Sequence, residues 1–195
     1  MRQNYIQNVV SNWRTQMSEL EKILNIEADS NLKHFKKGEF IQQPNQLKAN
    51  AIFVKKGLIR SYIIDSTGKE HIYMFASEGW ITGDIGAVEF NEPTTLYIDC
   101  LEDSEVVFLK SDHLKEADLS KDKLLQNMKK MSRNIGKMQR RILLLIGSPA
   151  VDRYNYFLET YPELPNRVPQ KMIASYLGIM PQTLSTIRSK IAKGE

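Results

Sequence analysis

The spacing of apolar residues changes twice along this chain, and each change predicts a different kind of element. From residue 1 to about 30, Ile6, Val9, Val10, Trp13, Met17, Leu20, Ile23 and Leu24 recur at helical intervals. They predict one or two amphipathic helices covering the domain that follows. From Leu32 to Leu109 the texture is of short β-rich runs between turn residues, at 39–42, 51–55, 57–64, 70–75, 80–81, 94–100 and 105–109. Short strands without intervening helices predict a sandwich or barrel. The turn at residues 65–69, with Gly68 free to take a positive φ, makes a hairpin tip between two of them.

Near Lys121 the period becomes helical again. Leu124, Met128, Met131, Ile135, Met138, Ile142 and Leu145 follow one another at intervals of 4, 3, 4, 3, 4 and 3 residues. That is the narrow seam of a helix packed against another helix. Pairing with the same helix of a second chain, in a parallel dimer, is expected; a helix lying on its own domain is the alternative. Gly136 and the methionines weaken such a seam, so the β domain and the N-terminal helices are expected to add to the interface.

Ser148 and Pro149 end this helix, because proline has no amide donor and clashes with the preceding turn. A short helix over 150–161 follows, stopped by Pro162. The segment from Pro169 to Lys190 then has the layout of a helix-turn-helix. Ala174 is small where two helices cross, Gly178 can turn left-handed between them, and Pro181 suits a first helical turn. Ile173, Leu177, Ile179, Leu184 and Ile187 fill the shared core. Gln182, Thr183, Ser185, Thr186, Arg188, Ser189 and Lys190 remain as a polar complement able to face a major groove, where Gln pairs with adenine and Arg with guanine. Lys171, Arg167, Lys190 and Lys193 are the expected phosphate contacts.

Composition adds three constraints. With 42% hydrophobic and 26% charged residues the chain is globular in texture, and no apolar run approaches the roughly 20 residues of a membrane span. No apolar leader follows Met1, so a cytoplasmic protein is expected, without membrane contact. The net charge of +4 is modest, but residues 121–150 hold eight Lys or Arg against one Asp, and residues 165–195 hold five against one Glu. The basic excess thus falls where double-stranded DNA would be met. Cys100 is the single cysteine, which removes disulfides and thiolate clusters and leaves a small buried strand residue, with a redox role as the alternative.

The order of these features resembles the family of the cyclic AMP receptor protein and the FNR regulators, from about residue 20 to the end. The residues that carry it are Phe53 to Arg60, the 65–69 turn, Gly79, Gly83-Asp84-Ile85, the long helix, and Ile173 to Ile179; Arg153-Tyr154 and Phe157-Leu158 resemble a Bacteroidetes-type branch. The resemblance implies an α+β chain: an N-terminal cyclic-nucleotide-binding-like β roll with its helices (1–120), a dimerisation helix (121–147), and a C-terminal winged helix-turn-helix (148–195). It implies a homodimeric transcription regulator, with DNA and RNA polymerase as candidate partners. Any wing is expected from residues 162–169 or to be short, since little follows the second helix.

Two departures bear on control. In cyclic AMP receptors a Gly-Glu-Leu run is followed by an Arg-Ser pair, the Glu holding the ribose and the Arg the phosphate. Here Gly83-Asp84-Ile85 is followed by Thr94 and Thr95, and a neutral Thr lacks a charge-assisted bond of about 1.5–3 kcal/mol. Control by cyclic AMP is therefore not expected, and no cofactor is; Asp84 is expected to brace a loop, and Thr94 and Thr95 to begin a strand. An effector pocket, if one exists, is placed near Gly83, Asp84, Thr94, Thr95 and Met131. His34, His71 and His113 are isolated, which argues against haem or other metal ligation and against catalysis. Thr186 stands where the branch usually carries a basic residue, which puts more of the contact on Arg188 and Lys190. The competing reading is a small-molecule-sensing β roll whose DNA binding is weak or lost.

Overall fold

The apolar runs between residues 32 and 109 become eight antiparallel strands in two four-stranded sheets. In the computed structural model, which describes residues 32–109 and 121–194, the chain divides into two units, 1–117 and 118–195. The expected N-terminal helices lie outside the described residues. The strands are β1 (Leu32–Phe35), β2 (Phe40–Gln42), β3 (Ala51–Lys56), β4 (Ile59–Ile64), β5 (Glu70–Ala76), β6 (Ile81–Thr82), β7 (Tyr97–Cys100) and β8 (Ser104–Leu109). One sheet has the order β1-β8-β3-β6 and the other β2-β7-β4-β5, so sequence neighbours repeatedly cross between layers.

Between the sheets Ile52, Val54, Ile59, Ala76, Ile98, Cys100 and Val106 form the core, with Phe35, Ile41, Met74, Trp80, Leu96 and Phe108 packed against it. The alternation explains the choice: Ile59, Ile98 and Cys100 point inward, while their neighbours Arg60 and Asp99 point to the other face. Cys100 is 2% exposed, and burial pushes its thiol up to about 11, which disfavours the reactive thiolate.

Two elements of this unit lie outside the runs the sequence predicts. The first is β1, which pairs with β8 from Leu32↔Val107 to Phe35↔Ser104. The second is a short helix, α1 (Ile85–Phe90), between β6 and β7. A third difference is a correction: Thr94 and Thr95 do not begin a strand, because β7 starts at Tyr97. They lie in a loop that pairs instead with residues 45 and 46, through Asn45 N to Thr94 O at 2.7 Å and Thr94 N to Gln46 O at 3.0 Å.

The second unit contains α2 (Lys121–Gly147), α3 (Ala150–Thr160), α4 (Leu164–Arg167), α5 (Gln170–Leu177) and α6 (Pro181–Lys193). Its described residues form helices alone, so the expected wing is corrected: residues 162–169 hold the helical turn α4. Prolines at 162, 165 and 169 remove the amides a strand would need, and Pro165 sits in the first turn of α4, where a missing amide costs nothing. The core is Tyr154, Phe157, Tyr161, Leu164, Val168, Ile173, Ala174, Tyr176, Leu177 and Leu184. Phe157 is its centre, 5.5 Å between ring centroids from both Tyr161 and Tyr176, which meet each other edge to face.

Candidate nucleic-acid interface and effector loop

The turn between α5 and α6 follows from one residue. Gly178 adopts φ 65° and ψ 36°, a left-handed conformation that costs a residue with a Cβ about 1 kcal/mol or more. Its amide donates to Ser175 O at 3.1 Å, and Ile179 N donates to Ala174 O at 3.0 Å, closing the end of α5. Ala174 is buried at the crossing and Leu184 anchors α6 with no exposed surface. Arg153 of α3 ties the corner, its Nε donating to Ser148 O at 3.0 Å and its Nη1 to Leu177 O at 3.2 Å.

With Leu184 turned inward, the opposite side of α6 is set by the helical period. Gln182, Thr183, Ser185, Thr186, Ser189 and Lys190 are all exposed. Arg188 is half-buried, because it follows Leu184 by one turn and shares its side. Lys171 is exposed on α5, whereas Arg167 is half-buried and 3.7 Å from Glu163 in an i,i+4 pair, so its charge is already partly countered. Thr186 donates its hydroxyl proton to Gln182 O at 3.0 Å. An open groove of about 550 Å³ runs beside the helix between Val151, Thr183, Thr186, Ile187 and Lys190. Its apolar wall from α3 was not anticipated, because Val151 lies more than thirty residues from Thr186 in the chain.

On α2 the side chains of Leu125, Met128, Ile135, Met138 and Ile142 are between 48% and 58% exposed. Leu145 has a contact within its own chain. It is half-buried and its Cδ2 comes within 3.5 Å of where a Cβ on Gly178 would stand, so it packs on the helix-turn-helix; Ile146, 77% exposed, takes the outer position. The side chains of Leu124 and Met131, also expected in the seam, lie outside the described residues.

In the β unit, Gly83 is required where the chain passes Asn50: a Cβ there would lie 2.7 Å from Asn50 O, at φ 148°. The turn delivers Asp84 to the start of α1. Asp84 Oδ2 accepts from Thr95 N at 2.6 Å, Thr95 Oγ1 at 2.8 Å and Leu96 N at 3.2 Å, while Oδ1 accepts from Ala87 N at 3.3 Å. Burial works against the charge, but these donors outweigh it and hold the carboxyl below its ordinary range. Thr94 Oγ1 in turn donates to Gln43 O at 2.6 Å. Asp84, Thr94 and Thr95 thus staple this loop to its neighbours.

This arrangement tests the loop for a cyclic nucleotide, and the residues do not fit. A ribose needs free carboxylate lone pairs, and Asp84 has spent them on Thr95, Leu96 and Ala87. A cyclic phosphate needs a cation, and residues 84–95 hold Asp84, Glu89 and Glu92 with no Lys or Arg. Nor is Arg60 available: Asp99 takes its Nε at 2.7 Å and its Nη2 at 2.9 Å, Glu70 takes its Nη1, and its guanidinium lies 4.1 Å from the Tyr62 ring centroid. Burial, and then the charge of Asp99, push the Tyr62 hydroxyl up to about 12. Among the described residues no group of His, Cys, Asp and Glu is arranged to hold a metal ion, and no helix is long and apolar enough to cross a membrane.

Residues 32–118 match the model of the cyclic nucleotide-binding domain. No curated protein sequence matches the chain. Among solved structures, FixK2 from Bradyrhizobium japonicum superposes with a TM-score of 0.66 at 20% identity, covering 84% of each chain. A transcriptional regulator of the CRP/FNR family from Thermus thermophilus gives 0.63 at 19%, over 84% of this chain and 86% of the other. The c-di-GMP-responsive regulator CLP of Xanthomonas campestris gives 0.58 at 14%, over 90% and 91%. The chain therefore carries a cyclic nucleotide-binding-type β sandwich followed by helices, in the α+β fold of CRP/FNR-family transcription regulators. The likeness extends through the helical unit and is one of fold.

Proposed function

We propose that this protein is a sequence-specific, DNA-binding transcription regulator that acts as a homodimer without cyclic AMP. The observation that carries the reading is the face of α6: Gln182, Thr186, Ser189 and Lys190 are exposed on one side of a helix whose other side is anchored by Leu184 and set by the Gly178 turn. Such a helix fits a major groove, with its first two turns at the base edges. The exposed apolar residues of α2 supply the pairing surface, and a two-fold pair of α6 helices about 34 Å apart reads successive major grooves of a palindrome. Lys171, Lys190 and Lys193 provide phosphate contacts, so affinity falls with salt.

The staple at Asp84 and the acidic loop around it support independence from a cyclic nucleotide. Selection of bound duplexes from a random pool by the purified protein, with no nucleotide added, tests the reading. A two-fold symmetric motif is expected. Absence of any motif at low salt, with the protein folded and dimeric, contradicts it.

A further inference from the structure

We infer that Thr186 reads a base bearing an exocyclic amine in the major groove, adenine through N6 or cytosine through N4, because its hydroxyl can offer that groove an acceptor alone. The inference rests on the proposal that α6 reads DNA, and it names what one position of that helix selects.

A threonine hydroxyl has one proton and two lone pairs. On an exposed helix it is normally undiscriminating, since it donates to guanine O6 or thymine O4 as readily as it accepts from an amine. Here the proton is committed: Thr186 Oγ1 donates to Gln182 O at 3.0 Å, one turn back in the same helix. β-Branching restricts the side chain to few rotamers in a helix, and the back-bond to the i−4 carbonyl selects between those open to threonine. What an incoming base meets is oxygen lone pairs and a methyl group. Keto bases, which bring acceptors, face lone pair against lone pair.

Neighbouring residues leave this constraint in place. Gln182, exposed on the preceding turn, carries both a donor and an acceptor, so its amide can turn to suit either kind of base. Lys190, exposed on the following turn, supplies charge. Thr186 is therefore the member of the face whose polarity is fixed before DNA arrives. Its methyl is the competing feature, since a threonine methyl also packs against the thymine methyl.

The test compares duplexes selected by the full-length wild-type protein with those selected by Thr186→Val and Thr186→Ser. Valine keeps the shape and the methyl and removes the oxygen. Serine keeps the oxygen and its back-bond and removes the methyl. Circular dichroism checks that each variant is folded. The wild type is expected to favour A or C over G or T at one position of each half-site by roughly threefold to tenfold, the discrimination of a single neutral hydrogen bond. Serine retains this preference and valine loses it, with the rest of the motif unchanged. A preference for T that survives in valine and fails in serine overturns the inference in favour of the methyl. A motif unchanged in both variants overturns it as well, while leaving DNA reading intact. A wild type that selects no motif removes the DNA-binding proposal itself, and this inference with it.

Discussion

The guanidinium of Arg141 lies over the ring of Tyr176, 4.1 Å from its centroid, and its Nη2 donates to Tyr176 O at 3.4 Å. Arg141 belongs to the long helix α2 and Tyr176 to α5, the first helix of the helix-turn-helix. One side chain therefore ties the proposed pairing helix to the proposed reading head. One turn earlier along α2, Tyr156 Oη of α3 donates to Lys137 O at 3.4 Å. A dimer formed through α2 would thus fix the reading helices as part of one body.

Replacing Arg141 with Ala removes a cation–π contact and a hydrogen bond at a partly buried site. A loss of about 1–2 kcal/mol is expected in thermal or urea unfolding of the helical unit. DNA affinity should fall too, although Arg141 is not on the exposed face of α6. Arg141→Lys should recover little, because the planar stacking is lost.

The exposed apolar residues of α2 separate from the packed side at its C-terminal end. Ile142→Glu is expected to turn the dimer into a monomer at micromolar concentration while leaving the unfolding temperature of the chain's own helical core nearly unchanged. Leu145→Ala is expected to do the reverse, lowering stability by about 2 kcal/mol or more with dimerisation less affected. Analytical ultracentrifugation beside thermal melts distinguishes them.

Two glycines should respond differently to Ala for a physical reason visible in their surroundings. At Gly178 the added methyl finds ordinary contacts, 3.5 Å from Leu145 Cδ2 and 3.6 Å from Arg153 Nη1, so the cost is the left-handed backbone, about 1 kcal/mol. At Gly83 the methyl would meet a backbone oxygen at 2.7 Å in addition to the strained φ. Gly83→Ala should therefore destabilise more than Gly178→Ala in equilibrium unfolding.

Asp84 gives the β unit a pH signature. Its folded carboxyl lies below the ordinary 3.8, so its contribution to stability is complete above that value and is lost as pH falls through the lower, folded pKa. Asp84→Asn places an amide NH₂ or a single oxygen against the amides of Thr95, Leu96 and Ala87, and is expected to cost about 1–3 kcal/mol at pH 7. The gap between wild type and variant should close as the pH is lowered below 3.8. A gap independent of pH would remove the assigned role of the charge.

The sequence was most readable where one residue type has one physical use. Gly178, Ala174 and Pro181 announced two helices joined by a tight turn because few other residues satisfy a left-handed turn, a close crossing and a first helical turn. The limits of the long helix were equally plain from its period and from Ser148-Pro149. Short elements were less readable: Leu32-Lys33-His34-Phe35 has no alternation of its own, and it is a strand because β8 offers it an edge. The prolines of 162–169 already count against a strand there, but nothing in the pattern shows that the segment closes into a helical turn with Leu164 buried. Leu145 continues the alternating spacing and Ile146 does not, yet Leu145 is the one partly covered, because Gly178 lies beside it. The ties made by Arg141 and Arg153 join residues 24 to 35 positions apart, and composition carries no trace of them.

Equilibrium binding of the purified protein to its selected duplex, with and without cyclic AMP, is the most direct measurement of the central claim. Two protomers per duplex are expected, with an affinity that falls steeply as salt rises and does not change when the nucleotide is added. Binding that appears only with cyclic AMP, or one protomer bound without a two-fold site, would contradict it.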